Sequence, residues 1–422
     1  MIVAHVGPPV GRQGGPAGYL AQLRLALDVY GTGHHDVRLP AAASSGPARS
    51  AAPSASRSLA IARRLGRRIL GKAQFYRPSD TALETAGGLE HAIATAWEDA
   101  QRGSSVALSA GVAGNADVLF AHDIPGAEAA LEARKAGQQV WVFLHSPMPI
   151  ALYVVWCWGV PELTWEAVVQ FPDVQTWMSR ELRVLDAVDR IVLPCREAAS
   201  ELARADRRFD TALRRATFIM TGASGPMRQY TAQTSEELRA HWNLPLHEPL
   251  GLFLGNPQPY RGLDALTEAV AALPTRNRGA GTLVIAGVEP DRLPQHPRIR
   301  ALGRVEEIAD LLATVDFVIN VNRFSLLDLS LIEATEASKP LLLHQTGGNL
   351  AFARLGAGCV LIDELSSTAI VQGLEDMFRQ SAASMEQLGR DSRRCYEQHF
   401  TRRHLRDRHI ALYDDVSMSV SA

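Results

Sequence analysis

The side chains with chemistry to offer stand at the ends of short apolar runs. Arg261 directly precedes Gly262 and a helical pattern, in the loop "LGNPQPYRGLDAL" (254–266) that also carries Gly255 and Asn256. A guanidinium at a helix start can clamp a diphosphate, because it makes paired charge-assisted bonds and the helix end adds N–H donors. A solvent-facing arginine is the plain alternative. His145 closes the run "QVWVFLH" (139–145), where an imidazole can relay a proton, hydrogen-bond a hydroxyl or simply support the strand end. His122 and Asp123 hold the equivalent place after "DVLFA". The loop "GPPVGRQGGPAGYLAQL" (7–23) supplies Gly14, Gly15 and Gly18, which allow a ligand to approach backbone N–H groups; an ordinary strand–helix turn fits equally well. Its spacing departs from the dinucleotide fingerprint, so NAD is not implied. Gly347 and Gly348 stand in a third such loop, "HQTGGNLAFARLGAG" (344–358). Glu333 lies just inside a helical stretch of "NRFSLLDLSLIEATEASKP" (322–340), and Ser330 three residues earlier suggests a capping box.

Positioning these groups takes a regular frame. In the C-terminal half, apolar runs at 250–254, 282–287, 316–320, 340–344 and 358–362 alternate with helical patterns at about 262–272, 305–314, 330–338 and 366–379. Continuous apolar strands between helices mean a parallel sheet covered on both faces. The N-terminal half repeats the grammar with strands at 1–6, 117–123, 139–145, 190–195 and 216–220. The expected fold is α/β, two doubly wound Rossmann-like domains. The expected division is 1–222, a polar linker with a short helix at 223–247, a second domain at 248–383, and C-terminal helices over 384–422 that pack back across the boundary.

The 422 residues exceed one ordinary core, and a net charge of −2 gives no sign of a nucleic-acid partner. No apolar run reaches the length of a bilayer crossing, and "MIVAHVGPPV" lacks the basic start of a signal peptide. The cysteines at 157, 195, 359 and 395 have no metal-ligand spacing, which reads as free thiols in a reducing cytoplasm. Residues 41–58 are small, polar and loop-like, and 58–73 form a basic amphipathic pattern suited to an anionic membrane surface, a solvated face or a phosphorylated ligand. Aromatics crowd 153–165, as a core cluster or a sugar-stacking surface.

In order and spacing these motifs resemble the retaining glycosyltransferases of family 4, which have the GT-B fold. "GGPAGYL" is similar to that family's glycine loop, "HSP" to its strand-end His, "YRGLDAL" to its Lys-Gly motif with Arg261 in place of Lys, and "LGRVEEIADLLATVDFVIN", with Arg304, to its nucleobase-contacting segment. "SLLDLSLIEATEASKPLL" resembles its Glu-x7-Glu region and "TGGN" its Gly-Gly turn. The resemblance implies a nucleotide-sugar donor on the C-terminal domain, a glycan or lipid-linked acceptor on the N-terminal domain, and reaction in the cleft between them. No metal and no cofactor are implied. Glu333 would hold the ribose hydroxyls, Arg261 the diphosphate and His145 the sugar or acceptor. The chain departs from the pattern at Ser325, where the first Glu falls, at Asn256, where an Arg falls, and after Gly348, where Asn349 and Leu350 follow and the Glu is missing. Asp328 would take over from the first Glu. The implied setting is cytoplasmic or membrane-peripheral polysaccharide or cell-surface glycan synthesis. A non-catalytic GT-B partner subunit that binds nucleotide or glycan is the rival reading, with an epimerase or phosphorylase of the same fold behind it.

Overall fold

A computed structural model of the chain describes residues 1–8, 10, 15–41, 88–109, 113–157, 165–224, 232–273 and 281–420. Gly14, the basic stretch 58–73 and part of the aromatic stretch 153–165 lie outside the described residues. Two compact units result. The first runs to Thr221 and regains the chain from Arg402 onward; the second is Gly222–Thr401.

The first unit carries β1 (Ile2–Val6), β2 (Asp36–Arg38), β3 (Val118–Ala121), β4 (Gln139–Phe143), β5 (Arg190–Leu193) and β6 (Thr217–Phe218), in the order β2-β1-β3-β4-β5-β6. The second carries β7 (Leu250–Leu254), β8 (Thr282–Ala286), β9 (Ile299–Gly303), β10 (Phe317–Asn320), β11 (Leu341–His344) and β12 (Cys359–Ile362), in the order β12-β11-β10-β7-β8-β9. Every pairing is parallel. Burial on both faces explains why the inner strands read as unbroken apolar runs. The two strands that no apolar run announces are the edges β2 ("DVR") and β9 ("IRALG"), which carry charged residues.

Each sheet reverses its strand order once, between β1 and β3 in the first unit and between β7 and β10 in the second. Loops leaving the carboxyl ends of those neighbours diverge, and the gap is where such sheets take ligands.

Beneath β1, β3 and β4 lie Tyr19, Leu23 and Leu27 of the helix Gly15–Tyr30 and Leu405, Leu412 and Tyr413 of the helix Arg402–Val420. The C-terminal helices expected over 384–422 are Ala382–His399 and Arg402–Val420. At the break, Ala223 N–H donates to the Phe400 carbonyl at 2.9 Å and satisfies this helix-end acceptor. Among the described residues no helix is long and apolar enough to cross a membrane.

Close approach fixes one glycine beyond substitution. A Cβ on Gly348 would lie 1.1 Å from the Leu326 carbonyl oxygen, a backbone atom that cannot swing away. Gly348→Ala is expected to lose about 3 kcal/mol or more in urea unfolding followed by circular dichroism. Gly15→Ala has open space and only its φ of 67° to overcome, and should lose about 1 kcal/mol.

Candidate functional site

At the second unit's reversal, the loop after β7 ends in the 3-10 turn Pro259–Arg261 and in Gly262, whose φ of 68° places it in the left-handed region. A Cβ there would meet the Val321 carbonyl at 2.1 Å, so the β7 and β10 loops touch only because this residue is glycine. Contact between them brings Arg261 to Asp328. Nη1 of Arg261 donates to Oδ2 of Asp328 at 2.9 Å, and the same oxygen accepts from Nδ2 of Asn320 at 2.8 Å and Nδ2 of Asn322 at 2.9 Å. Burial pulls the guanidinium's pKa down, but the Asp328 carboxylate and Tyr260 outweigh it, and the net shift is upward. The guanidinium is therefore a fixed cation. It rests against Gly255, where a Cβ would stand 3.5 Å from it. Arg261 Nε and Asn322 Oδ1 are buried without a hydrogen-bond partner among the described residues, a condition proteins mostly avoid away from functional sites.

The positions that depart from the resembled family form one network with this pair. Ser325 Oγ donates to Asn349 Oδ1 at 2.9 Å, and Gly348 N–H to the Ser325 carbonyl at 2.9 Å. Asn349 Nδ2 donates to the His344 carbonyl at 3.0 Å and reaches Asn320 Oδ1 at 3.3 Å. Neutral amides and a hydroxyl thus occupy the ground where the resembled family has two carboxylates. Gly347, with a φ of 38°, and Gly348 open the helix Gly347–Arg354 beside them.

Glu333 lies in the helix Leu329–Glu336, whose N-cap is Asp328. Ser330 is therefore inside the first turn, and the capping-box reading fails because the helix begins two residues too early for it. The Glu333 carboxylate makes no hydrogen bond with the described residues, unlike its neighbour Glu336, which Tyr396 and Ser224 hold at 2.9 and 2.7 Å. Burial, and then the charge of Glu336, push Glu333 up to about 7. Asn256 is exposed. Arg304 follows the edge strand β9, and its exposed side chain lies 3.9 Å from Glu306.

At the first unit's reversal the sequence offered two strand-end histidines, and the structure adds more. His145 Nε2 lies 2.9 Å from His122 Nδ1, and His122 Nε2 lies 2.8 Å from His5 Nδ1 in β1. Burial first, and neighbouring imidazoles second, lower all three; His145 falls to about 3. They are neutral hydrogen-bonding groups, so His145 does not serve as a cationic acid. Asp123 caps the helix Ile124–Ala133 through Gly126 N–H at 2.6 Å. Gly18 is buried in the helix Gly15–Tyr30, and Gly15, with a φ of 67°, opens it. His5 was missed, although a histidine inside an apolar strand, "IVAHV", is the signal for it. Elsewhere in this unit His34, His35 and Asp414 bring metal-ligand types within 4.8 Å of one another. Among the described residues Cys195, Cys359 and Cys395 are unpaired, and burial pushes their thiols up to about 12, 11 and 12.

Residues 248–380 match the family model "Glycosyl transferases group 1". That match covers the whole Arg261–Asp328–Glu333 region. O-antigen chain mannosyltransferase C of Escherichia coli is 25% identical over 208 residues, which span 46% of this chain and 54%, about half, of that protein. Two solved structures align over nearly their whole length. HepE of Anabaena in complex with UDP-glucose superposes with a TM-score of 0.60 at 15% identity, covering 99% of this chain and 100% of that one. WaaG, a glycosyltransferase involved in lipopolysaccharide biosynthesis, superposes with a TM-score of 0.60 at 12% identity, covering 98% and 99%. The fold is GT-B. In this GT-B chain the reversal in each sheet is the place where its polar residues converge.

The Arg261–Asp328 pair gives a direct test. Removing one partner of a buried pair strands the other charge, at about 3 kcal/mol or more. Asp328→Ala should lose about that much in urea unfolding. Arg261→Ala and the double variant should show strong non-additivity, since the pair shares one network.

Proposed function

We propose that the chain is a glycosyltransferase that moves a sugar from a nucleotide-sugar donor to a hydroxyl acceptor with retention of anomeric configuration. The observation that carries this reading is the fixed cation Arg261 at the reversal of the second sheet, with the unbonded carboxylate of Glu333 one turn beyond its partner Asp328. The match of residues 248–380 to group 1 glycosyl transferases supports it. A diphosphate beside Arg261 gains a pre-positioned positive charge and the N–H groups at the start of the helix Leu263–Ala272. A carboxylate without internal partners can accept both hydroxyls of a ribose. Departure of the diphosphate from the anomeric carbon builds negative charge on its oxygens, and Arg261 offsets that charge as the sugar becomes oxocarbenium-like. Asp328 then positions Arg261, since its Oδ2 holds the guanidinium together with two amides. His145, on the first unit, offers a neutral contact to the sugar or acceptor. The setting we propose is polysaccharide or cell-surface glycan synthesis in the cytoplasm, with no metal ion. The same Ser325–Asn349 network favours a second reading, a nucleotide-binding subunit without turnover, since neutral groups stand where the resembled family has its first Glu.

Calorimetric titration of UDP, GDP, ADP and CMP tests the donor site. One nucleotide should bind, and Glu333→Ala should weaken it by about 2 kcal/mol, roughly thirtyfold, the worth of hydrogen bonds to a charged group. If no nucleotide binds, or the variant binds as tightly, the reading is wrong. Binding without sugar transfer to any hydroxyl acceptor would select the subunit reading. An active enzyme releases product whose anomeric proton coupling, read by NMR, matches that of the donor.

Glu333 also sets a pH dependence. Its folded-state pKa, about 7, lies above the ordinary carboxylate value, so its ionisation takes stability away as pH rises from about 4.5 to about 7. Ribose hydroxyls favour the ionised form. Nucleotide affinity should therefore rise with pH through 7, about tenfold from pH 6 to pH 8. Glu333→Gln should flatten that profile and bind weakly throughout.

A further inference from the structure

The three histidines of the first unit are part of a longer chain of hydrogen bonds. Beyond His5, Nε2 lies 2.9 Å from the Tyr413 hydroxyl; that hydroxyl lies 3.0 Å from His409 Nδ1; and His409 Nε2 lies 2.6 Å from the Tyr19 hydroxyl. The path runs from His145 through His122, His5, Tyr413 and His409 to Tyr19, and involves β1, β3, the end of β4 and two helices. Five of the six side chains are at most 2% exposed, and His145 alone is partly open.

A neutral imidazole has one N–H and one lone pair, so each ring donates on one side and accepts on the other. Its tautomer is set by its partners. The chain can therefore point only two ways if it is continuous. Pointing inward, His145 donates from Nε2, every ring carries its proton on Nε2, and the Tyr19 hydroxyl receives the last bond. Its own proton then has no acceptor among the described residues, where His409 Nε2 is the one hydrogen-bond partner of that hydroxyl. An unsatisfied buried donor costs about 1–3 kcal/mol. Pointing outward, Tyr19 donates to His409 Nε2, His409 donates from Nδ1 to Tyr413, Tyr413 donates to His5 Nε2, and His5 and His122 donate from Nδ1 in turn. Every buried donor is then satisfied, and the surplus proton appears on Nδ1 of His145, which makes no bond with the described residues.

The geometry points to a tautomer relay: the buried Tyr19 hydroxyl, acting through five hydrogen bonds, holds the His145 proton on Nδ1, so that this strand end presents a hydrogen-bond donor and no base. Tyr19, His409, Tyr413, His5 and His122 are positioning residues for His145. The imidazoles stay neutral because burial and mutual repulsion keep their pKa values low; His145 and His409 both fall to about 3. The ligand chemistry that matches such an end is an oxygen acceptor, a hydroxyl, carbonyl or phosphate oxygen, and a proton to be abstracted does not match it. That His145 meets a ligand rests on the function proposed above. Its tautomer does not, so the two can fail separately.

The test is spectroscopic. The full chain is labelled with 15N-histidine, and two-bond 1H–15N correlations are recorded at neutral pH without ligand. The His145 signals are assigned by their loss in His145→Gln. We expect protonated Nδ1 and unprotonated Nε2 at His145, and the same pattern at His122, His5 and His409. Imidazole free in water favours the reverse, so four concordant Nδ1–H rings are not what independent histidines would give. Tyr19→Phe removes the proton that sets the direction, and His145 should pass from a single Nδ1–H form to a mixture with Nε2–H. A wild-type His145 protonated on Nε2 overturns the proposal. So does opposite protonation of His5 and His409, which would mean the relay breaks at Tyr413, or a His145 signal unchanged by Tyr19→Phe. Should that variant fail to fold, Tyr413→Phe makes the same cut from the middle, and the wild-type spectrum alone still decides the direction.

Discussion

Both sheets are wholly parallel, and most of this molecule's chemistry follows from that constraint. Parallel strands send all their carboxyl ends to one edge, so every loop that departs from a strand leaves on the same side. Where the order reverses, two adjacent loops turn away from each other and leave polar strand ends without cover. The second unit closes that gap with Arg261, Asp328, Asn320 and Asn322, all from the β7 and β10 strand ends and loops. The first closes it with His5 from β1 and His122 after β3. Glycine makes both arrangements possible, at Gly262 in one unit and at Gly7, where a Cβ would already press on His122 at 3.2 Å, in the other.

A buried ion pair contributes little net stability, since desolvation offsets most of the attraction. What Asp328 supplies to Arg261 is position. One carboxylate oxygen holds a guanidinium and two amides at once, so the cation is aimed before anything binds, which is the condition for electrostatic help to a developing charge. The amides have their own anchors: Asn322 N–H donates to Asn320 Oδ1 at 3.1 Å, and Asn349 links Asn320 to Ser325. Ser325, where the resembled family has a carboxylate, therefore leaves no hole. The network is closed by neutral groups, and the local charge balance is set by Arg261, Asp328 and Glu333.

The inner strands β7, β8, β10 and β11 were legible because burial on both faces writes an apolar run into the sequence, and the edge β12 was legible because its residues, "CVLI", are all apolar. The edge strands β2 and β9 were not, because half-solvated strands carry Arg and Asp and read as loop. Arg261, Asp328 and Glu333 were each visible as strand-end or helix-start residues. That Arg261 and Asp328 would pair was not, because they lie 67 residues apart and only the strand order brings them together. The remainder of the histidine chain was harder still. His409 and Tyr413 share a face of the last helix at a spacing of four, a pattern usual in any helix, and the return of that helix to the first sheet is a tertiary fact without a local signature.

The two reversals have opposite electrostatic character. In the second unit a fixed cation is matched by a fixed anion, and a further carboxylate, Glu333, sits close to neutrality in its titration, so this edge changes charge within the physiological range. In the first unit four imidazoles, the side chains most apt to titrate near pH 7, are kept neutral by burial and by one another. A protein that wanted a proton acceptor at His145 would have given it a carboxylate neighbour to raise its pKa; here its partner is another imidazole, which lowers it. Near pH 7 the histidine edge therefore offers hydrogen bonding by neutral rings, while Glu333 titrates at the edge that carries Arg261.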